Sequence, residues 1–227
     1  MLSAIPVITI DGPSASGKGT IAEHIAYKLG FRYLDSGAIY RVAALAGERA
    51  GVPLDDEAAL AAMASNLVLR FEDGRIFLNN EDVTQAVRSE SAGKNASKIA
   101  VFPRLREALL ARQREFRRQP GLVADGRDMG SVVFPDAVLK IYLTASVEAR
   151  AERRYKQLKE KGMHANLAAI LEDLRLRDLR DSSRVAAPLR ICADSIVLDT
   201  TPLTIDDTVA FVLEKYRSIS GGATSVR

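Results

Sequence analysis

Apolar residues along the chain recur with two periods, and the alternation between them sets out the elements. The run Pro6-Val7-Ile8-Thr9-Ile10 is continuously apolar, as a strand buried on both faces of a parallel sheet must be. Ile21, Ile25 and Leu29 then recur at helical spacing, with Ala22 and Ala26 small enough for close packing and Gly30 placed to stop the helix. Phe31-Arg32-Tyr33-Leu34 reads as a second strand, and Asp35-Ser36-Gly37 offers turn and N-cap chemistry to a helix over about 38–50. An alanine-rich helix over 56–64 leads to Leu67-Val68-Leu69-Arg70-Phe71, a Glu72-Asp73-Gly74 turn and Arg75-Ile76-Phe77-Leu78, which is a hairpin pattern. A hairpin interrupts βα alternation, so 51–90 is predicted to be an insertion. A long helical stretch over 97–119 follows, with Phe102, Leu105, Leu109 and Phe116 on one face and Pro103 marking a kink or second start.

Leu122-Val123-Ala124 and the segment 137–143 supply two further strands, 146–161 a charged helix, and a helix from about Asn166 carries Leu167, Leu171 and Leu174. Pro188 ends that arm, Ser195-Ile196-Val197-Leu198-Asp199 is a last strand, and 204–217 a closing helix. Five parallel strands with helices on both faces predict a three-layer α/β/α domain.

Composition narrows the picture. Over 227 residues, 47% hydrophobic and 27% charged content describes a globular chain, and a core without Trp must rest on aliphatic residues. Lys and Arg number 32 against 29 Asp and Glu, interspersed, so neither a basic tail nor a one-sided basic stripe with aromatics points to nucleic acid. A single cysteine, Cys192, forms no internal disulfide, and no basic-then-apolar leader or bilayer-length apolar stretch is visible. A cytoplasmic protein that engages neither membrane nor nucleic acid is the expectation, as a monomer.

Chemistry concentrates at four places. Gly12-Pro13-Ser14-Ala15-Ser16-Gly17-Lys18-Gly19-Thr20 lies between a buried strand and a helix and keeps the G-x-x-x-x-G-K spacing. Glycines there let backbone N–H groups curl around an anion, the helix N-terminus adds a positive dipole end, and Lys18 supplies a cation. Gly19 stands where Ser or Thr normally meets magnesium, and the hydroxyl comes one residue later as Thr20. Ser36, Tyr40 and Arg41 share the start of the next helix and fit either a plain N-cap with a solvated arginine or a turn that presents a hydroxyl, an aromatic edge and a guanidinium together. Asp125-Gly126-Arg127-Asp128-Met129-Gly130 leaves the carboxyl end of a strand, where ligands sit in open α/β sheets. Arg177, Arg180, Asp181 and Arg184 fall at i, i+3, i+4 and i+7, which suits either an exposed ion-pair ladder or a clamp for polyanionic phosphate.

These segments, with Leu34-Asp35-Ser36-Gly37-Ala38-Ile39-Tyr40-Arg41, together resemble the bacterial cytidylate kinases, within the nucleoside monophosphate kinase group of P-loop kinases. Ser182-Ser183 departs from the more charged stretch of relatives. The resemblance implies ATP-dependent phosphorylation of CMP and dCMP, with residues 12–20 and Arg153 on ATP. It implies Ser36, Arg41, Arg127 and Arg184 around the acceptor phosphate, with Tyr40 also among the CMP-binding residues. It places Ser97, Arg106 and Asp128 on cytosine, and Arg177 and Asp181 on the sugar. Lys18, Arg127, Arg177, Arg180 and Arg184 would be catalytic, and magnesium would come as Mg-ATP with Thr20 as its protein contact and no dedicated carboxylate cage. In these terms 1–50 and 91–227 form the kinase core including a lid arm over 146–184, 51–90 is the inserted part of the monophosphate-binding subdomain, and 218–227 is a flexible tail. A kinase for a shikimate-like alcohol is the competing enzyme reading; it would recruit Asp35 or Asp128 as base. A nucleotide-dependent switch is the other, with Leu122-Val123-Ala124-Asp125 the nearest approach to its second motif.

Overall fold

The computed structural model describes residues 5–72 and 74–221. The turn position Asp73 and the end of the predicted tail, 222–227, lie outside the described residues. Strands run in the order β1 (Val7–Asp11), β2 (Arg32–Asp35), β3 (Leu69–Glu72), β4 (Arg75–Leu78), β5 (Glu81–Asp82), β6 (Leu122–Gly126), β7 (Leu139–Thr144) and β8 (Ile196–Asp199). Helices are α1 (Lys18–Leu29), α2 (Ser36–Arg49), α3 (Glu57–Ser65), α4 (Thr84–Val87), α5 (Glu90–Ile99), α6 (Pro103–Arg114), α7 (Val147–Glu160), α8 (Leu167–Ser183) and α9 (Ile205–Ile219). Among the described residues no helix is long and apolar enough to cross a membrane. The chain divides into two compact units, one of residues 1–34, 116–183 and 187–227, the other of 35–115 and 184–186.

The first unit is built on a five-stranded sheet of order β2-β6-β1-β7-β8. β1 runs parallel to β6, with Val7 opposite Leu122, and to β7, with Ile8 opposite Leu139, while β7 runs parallel to β8. Every residue of β1 and β6 is buried, which is why both read as apolar runs rather than alternations. Ile21, Ala22 and Ile25 of α1 and Val209, Val212 and Leu213 of α9 pack with Ile8, Ile10, Val123, Ile141 and Leu143. Strand order reverses at β1, so the loops leaving β1 and β6 open side by side at the carboxyl edge of the sheet, the usual ligand position of this class.

The second unit is helical with a small antiparallel sheet of order β3-β4-β5. Here α3 packs on α6 and α2 on α5. At Gly47 of α2 an added Cβ would stand 2.9 Å from Leu60 of α3, so the helices approach over a bare backbone. The structure corrects the predicted elements in three places. The hairpin gains a third strand, β5. The single helix predicted over 97–119 is two helices, because Pro103 has no N–H to continue α5 and instead takes the first turn of α6 after an extended Phe102. The closing helix, α9, runs through Ile219, so Ser218 and Ile219 belong to that helix rather than to the predicted tail.

Candidate active site

The phosphate loop leaves β1 at Gly12, where a Cβ would lie 2.3 Å from the Leu143 carbonyl oxygen, so only glycine fits. Ala15 (φ 59°) and Gly17 (φ 89°) both take left-handed conformations that turn successive N–H groups toward a common concavity. Gly17 is also the N-cap of α1, without a side-chain cap and with no acidic residue in the first turn. By contrast α2, α3, α5, α7 and α9 are capped by the side chains of Asp35, Asp56, Ser89, Ser146 and Thr204. The opening of α1 therefore keeps its positive dipole end for an anion. Ser16 Oγ is buried without a hydrogen-bond partner, which suits a loop shaped around a missing acceptor. Lys18 Nζ donates to Pro13 O at 3.4 Å, and Thr20 is exposed on the first turn of α1.

Outward-facing carbonyls of the loop are held by arginines of α7. Arg150 Nη1 donates to Ser14 O at 3.1 Å, and Arg153 Nη1 to Ser16 O at 3.4 Å and to Thr200 Oγ1 at 3.1 Å. The sequence singled out Arg153 and passed over Arg150, whose burial no helical charge pattern would betray.

The loop leaving β6 begins beside this cradle. Arg127 Nη2 donates to Ser14 Oγ at 3.3 Å and Nε to Asp181 Oδ2 of α8 at 2.6 Å. Burial works against the Arg127 charge, but Asp181, Asp125 and Asp11 outweigh it and hold the guanidinium above its ordinary pKa. Asp128 is buried, and after it Met129–Val133 forms a π-helical turn. That turn is held by Asp11, the last residue of β1. Its two oxygens accept from Met129 N at 2.9 Å and Gly130 N at 2.8 Å. Asp11 was not among the residues singled out, although it directly precedes the cradle. Asp125 accepts from Tyr33 Oη at 2.8 Å. The predicted common face is shorter than expected, since α8 ends at Ser183 and Arg184 lies beyond it; of the rest, Asp181 is buried and pairs with Arg127 of another element, and Arg177 and Arg180 are half-buried. That sets aside the exposed-ladder alternative.

In the second unit the predicted acceptor residues gather on α2, α5 and α6. Asp35, not Ser36, caps α2, accepting from Ala38 N at 3.0 Å, and Ser36 is the first, buried residue of the helix. Arg41 Nη1 donates to Val87 O at 3.2 Å and its guanidinium lies over Gly93 of α5. The Arg106 guanidinium of α6 stands 5.5 Å from the Tyr40 ring centroid and donates to Ala100 O at 3.0 Å. Ser97 is buried on α5. Arg184 is counted with this unit.

A buried parallel strand, a nest of backbone N–H groups and an uncapped helix N-terminus, with arginines at the adjoining strand end, define a P-loop kinase. The chain belongs to the cytidylate kinase family: the family model described as Cytidylate kinase matches residues 8–218. It is 55% identical over 217 residues to the Cytidylate kinase of Polynucleobacter asymbioticus, covering 96% of this chain and 99% of that protein. It is 57% identical over 215 residues to the Cytidylate kinase of Bordetella bronchiseptica, covering 95% and 96%. To that of Burkholderia pseudomallei it is 58% identical over 214 residues, covering 94% of each.

Proposed function

We propose that the chain transfers the γ-phosphoryl group of ATP to a phosphate oxygen of CMP or dCMP, giving ADP with CDP or dCDP. Family membership over nearly the whole length carries the activity, and the chemistry of the two units supports the division of roles. The attacking oxygen belongs to a phosphate already ionised at neutral pH, so no general base is required. Catalysis then rests on alignment and on charge placed around the equatorial oxygens in flight.

Residues 12–20 hold the donor phosphates. Lys18 follows the transferring group, and Arg127, Arg177, Arg180 and Arg184 neutralise charge on it and on the acceptor. Ser36 and Arg41 engage the acceptor phosphate, Ser97, Arg106 and Asp128 the base, and Arg177 and Asp181 the sugar, with Tyr40 lining the CMP site beside Arg106. Asp181 then exchanges its Arg127 partner for a ribose hydroxyl, which returns that guanidinium to phosphate. Arg153 completes the donor site from α7.

Among the described residues no group of three or more His, Cys, Asp and Glu side chains is arranged to hold a metal. Thr20, on the first turn of α1, is the protein oxygen that would meet magnesium brought in on ATP. Bound there, magnesium would neutralise charge on the phosphate oxygens.

Asp128 gives the base selectivity a chemical reason. A carboxylate accepts from the cytosine N4 amino group and repels the uracil O4. The test is an acceptor panel of CMP, dCMP, UMP, AMP and shikimate with Mg-ATP, read by ADP release, for the native chain and Asp128→Ala. CMP and dCMP should dominate in the native chain, and the CMP/UMP ratio of kcat/KM should fall in the variant. A ratio left unchanged assigns base selection to other residues, and ADP release led by shikimate overturns the reaction.

A further inference from the structure

A loop whose N–H groups turn inward must turn carbonyls outward, and a buried carbonyl needs a donor. For Ser14 that donor is Arg150, and the way Arg150 is itself held has a consequence for α8. Arg150 is buried, and each of its nitrogens is engaged. Nε donates to Ala145 O at 3.0 Å, Nη1 to Ser14 O at 3.1 Å and to Asp178 Oδ1 at 3.1 Å, and Nη2 to Asp178 Oδ2 at 2.6 Å. A two-pronged guanidinium–carboxylate pair fixes angle as well as distance, because both groups are planar. One guanidinium thus ties the phosphate loop, the start of α7 and the middle of α8 together. A turn further along α8, Asp181 reaches the same loop residue through Arg127, whose Nη2 meets Ser14 Oγ. Two aspartates three positions apart therefore register α8 on Ser14, one through its carbonyl and one through its hydroxyl. Each directly follows an arginine of the proposed clamp, Arg177 before Asp178 and Arg180 before Asp181.

We infer that Arg150 and Asp178 are positioning residues for phosphoryl transfer, seating α8 on the phosphate loop so that Arg177 and Arg180 reach the transferring group in register. Neither touches a nucleotide in the assignment above, and the inference rests on that assignment of the α8 arginines. A buried ion pair is weak grounds for a stability role, since packed apolar residues serve that as well. What apolar residues cannot do is hold two planar groups at a fixed angle on a loop carbonyl.

The experiment is a double-mutant cycle. Arg180→Ala is made in the native chain and in Asp178→Asn, with Arg150→Lys as a second background that keeps the charge but not the fork. Thermal melting and near-UV circular dichroism accompany the kinetics. Asp178→Asn and Arg150→Lys should each lower kcat roughly 10- to 100-fold, the scale of an ångström's misalignment, while KM for CMP stays within about threefold. Arg180→Ala should cost roughly 100-fold in the native chain but less than about fivefold in either background, since an arginine already out of register has little left to lose. Equal factors for Arg180→Ala in all three backgrounds, or an unchanged kcat in folded Asp178→Asn, overturn the inference. If neither background folds, the pair serves stability and the inference falls. An Arg180→Ala variant as active as the native chain would instead remove the clamp itself, and the tether with it.

Discussion

Asp11 is the residue whose state bears most directly on the site. Burial pushes its carboxyl up to about 6, against the pull of the Gly130 and Met129 N–H groups; Asp128 pushes it further and Arg127 holds it back. The unfolded chain releases this proton near the ordinary 3.8, so between about pH 4 and 6 the folded chain binds more protons than the unfolded one. Its contribution to stability is present in full below pH 4 and declines as pH rises to 6, by roughly 3 kcal/mol. Asp11→Asn has no such proton to lose. Urea unfolding from pH 4 to 7 should show the variant gaining on the native chain across that window, and a constant difference would mean that Asp11 is not the titrating group. That an ionised carboxylate is kept there at neutral pH, at such cost, fits its hold on the turn following Arg127 and Asp128. Gly12 is as demanding in a steric sense. A methyl group 2.3 Å from the Leu143 carbonyl must displace a strand or the loop. Gly12→Ala is expected to cost about 1–3 kcal/mol by overpacking and to abolish measurable ATP binding by calorimetry.

Among the elements, α2 joins fold to function most economically, since Ser36, Tyr40 and Arg41 all lie on its first turns and Asp35 caps it. Removing that cap costs about 1 kcal/mol, felt as fraying where the proposed acceptor residues sit. Asp35→Ala should therefore raise KM for CMP severalfold and leave KM for ATP unchanged; a rise in both would show that the damage spreads beyond α2. The helix itself was legible before its cap was known, because apolar periodicity marks where a helix runs more firmly than which polar residue starts it. The same limit explains the misread segments. β5 is two exposed acidic residues, Glu81 and Asp82, with no apolar alternation to betray it. Pro103 is compatible with a kink or a new start, and the extended backbone of Phe102 before it decides for the start. The π-helical turn depends on Asp11, distant in sequence, so local pattern could not announce it.

At the scale of the whole molecule, the site was legible where chemistry is local and hidden where it is relayed. The cradle, Arg127 and the α8 arginines stand in short segments whose spacing has a direct phosphate-binding rationale. Asp11, Arg150 and Asp178 act through other residues, and nothing in their own neighbourhoods distinguishes them from a strand end or a solvated helix face. The division into two units, each with buried apolar residues of its own, leads to a last expectation. Lys18 belongs to the unit that carries the cradle, while Ser36, Arg41, Ser97 and Arg106 belong to the other. Losing the Lys18 charge removes stabilisation that grows as the phosphoryl group departs, so it falls on turnover rather than on acceptor binding. Lys18→Met should lower kcat by roughly 100-fold or more while the Kd for CMP, measured by calorimetry, shifts by less than about threefold. Equal loss of turnover and of CMP affinity would mean that the substitution has damaged the fold. With native Lys18, ATP hydrolysis in the absence of CMP should remain a small fraction of the transfer rate, since a cradle that aligned water as readily as CMP would dissipate its donor.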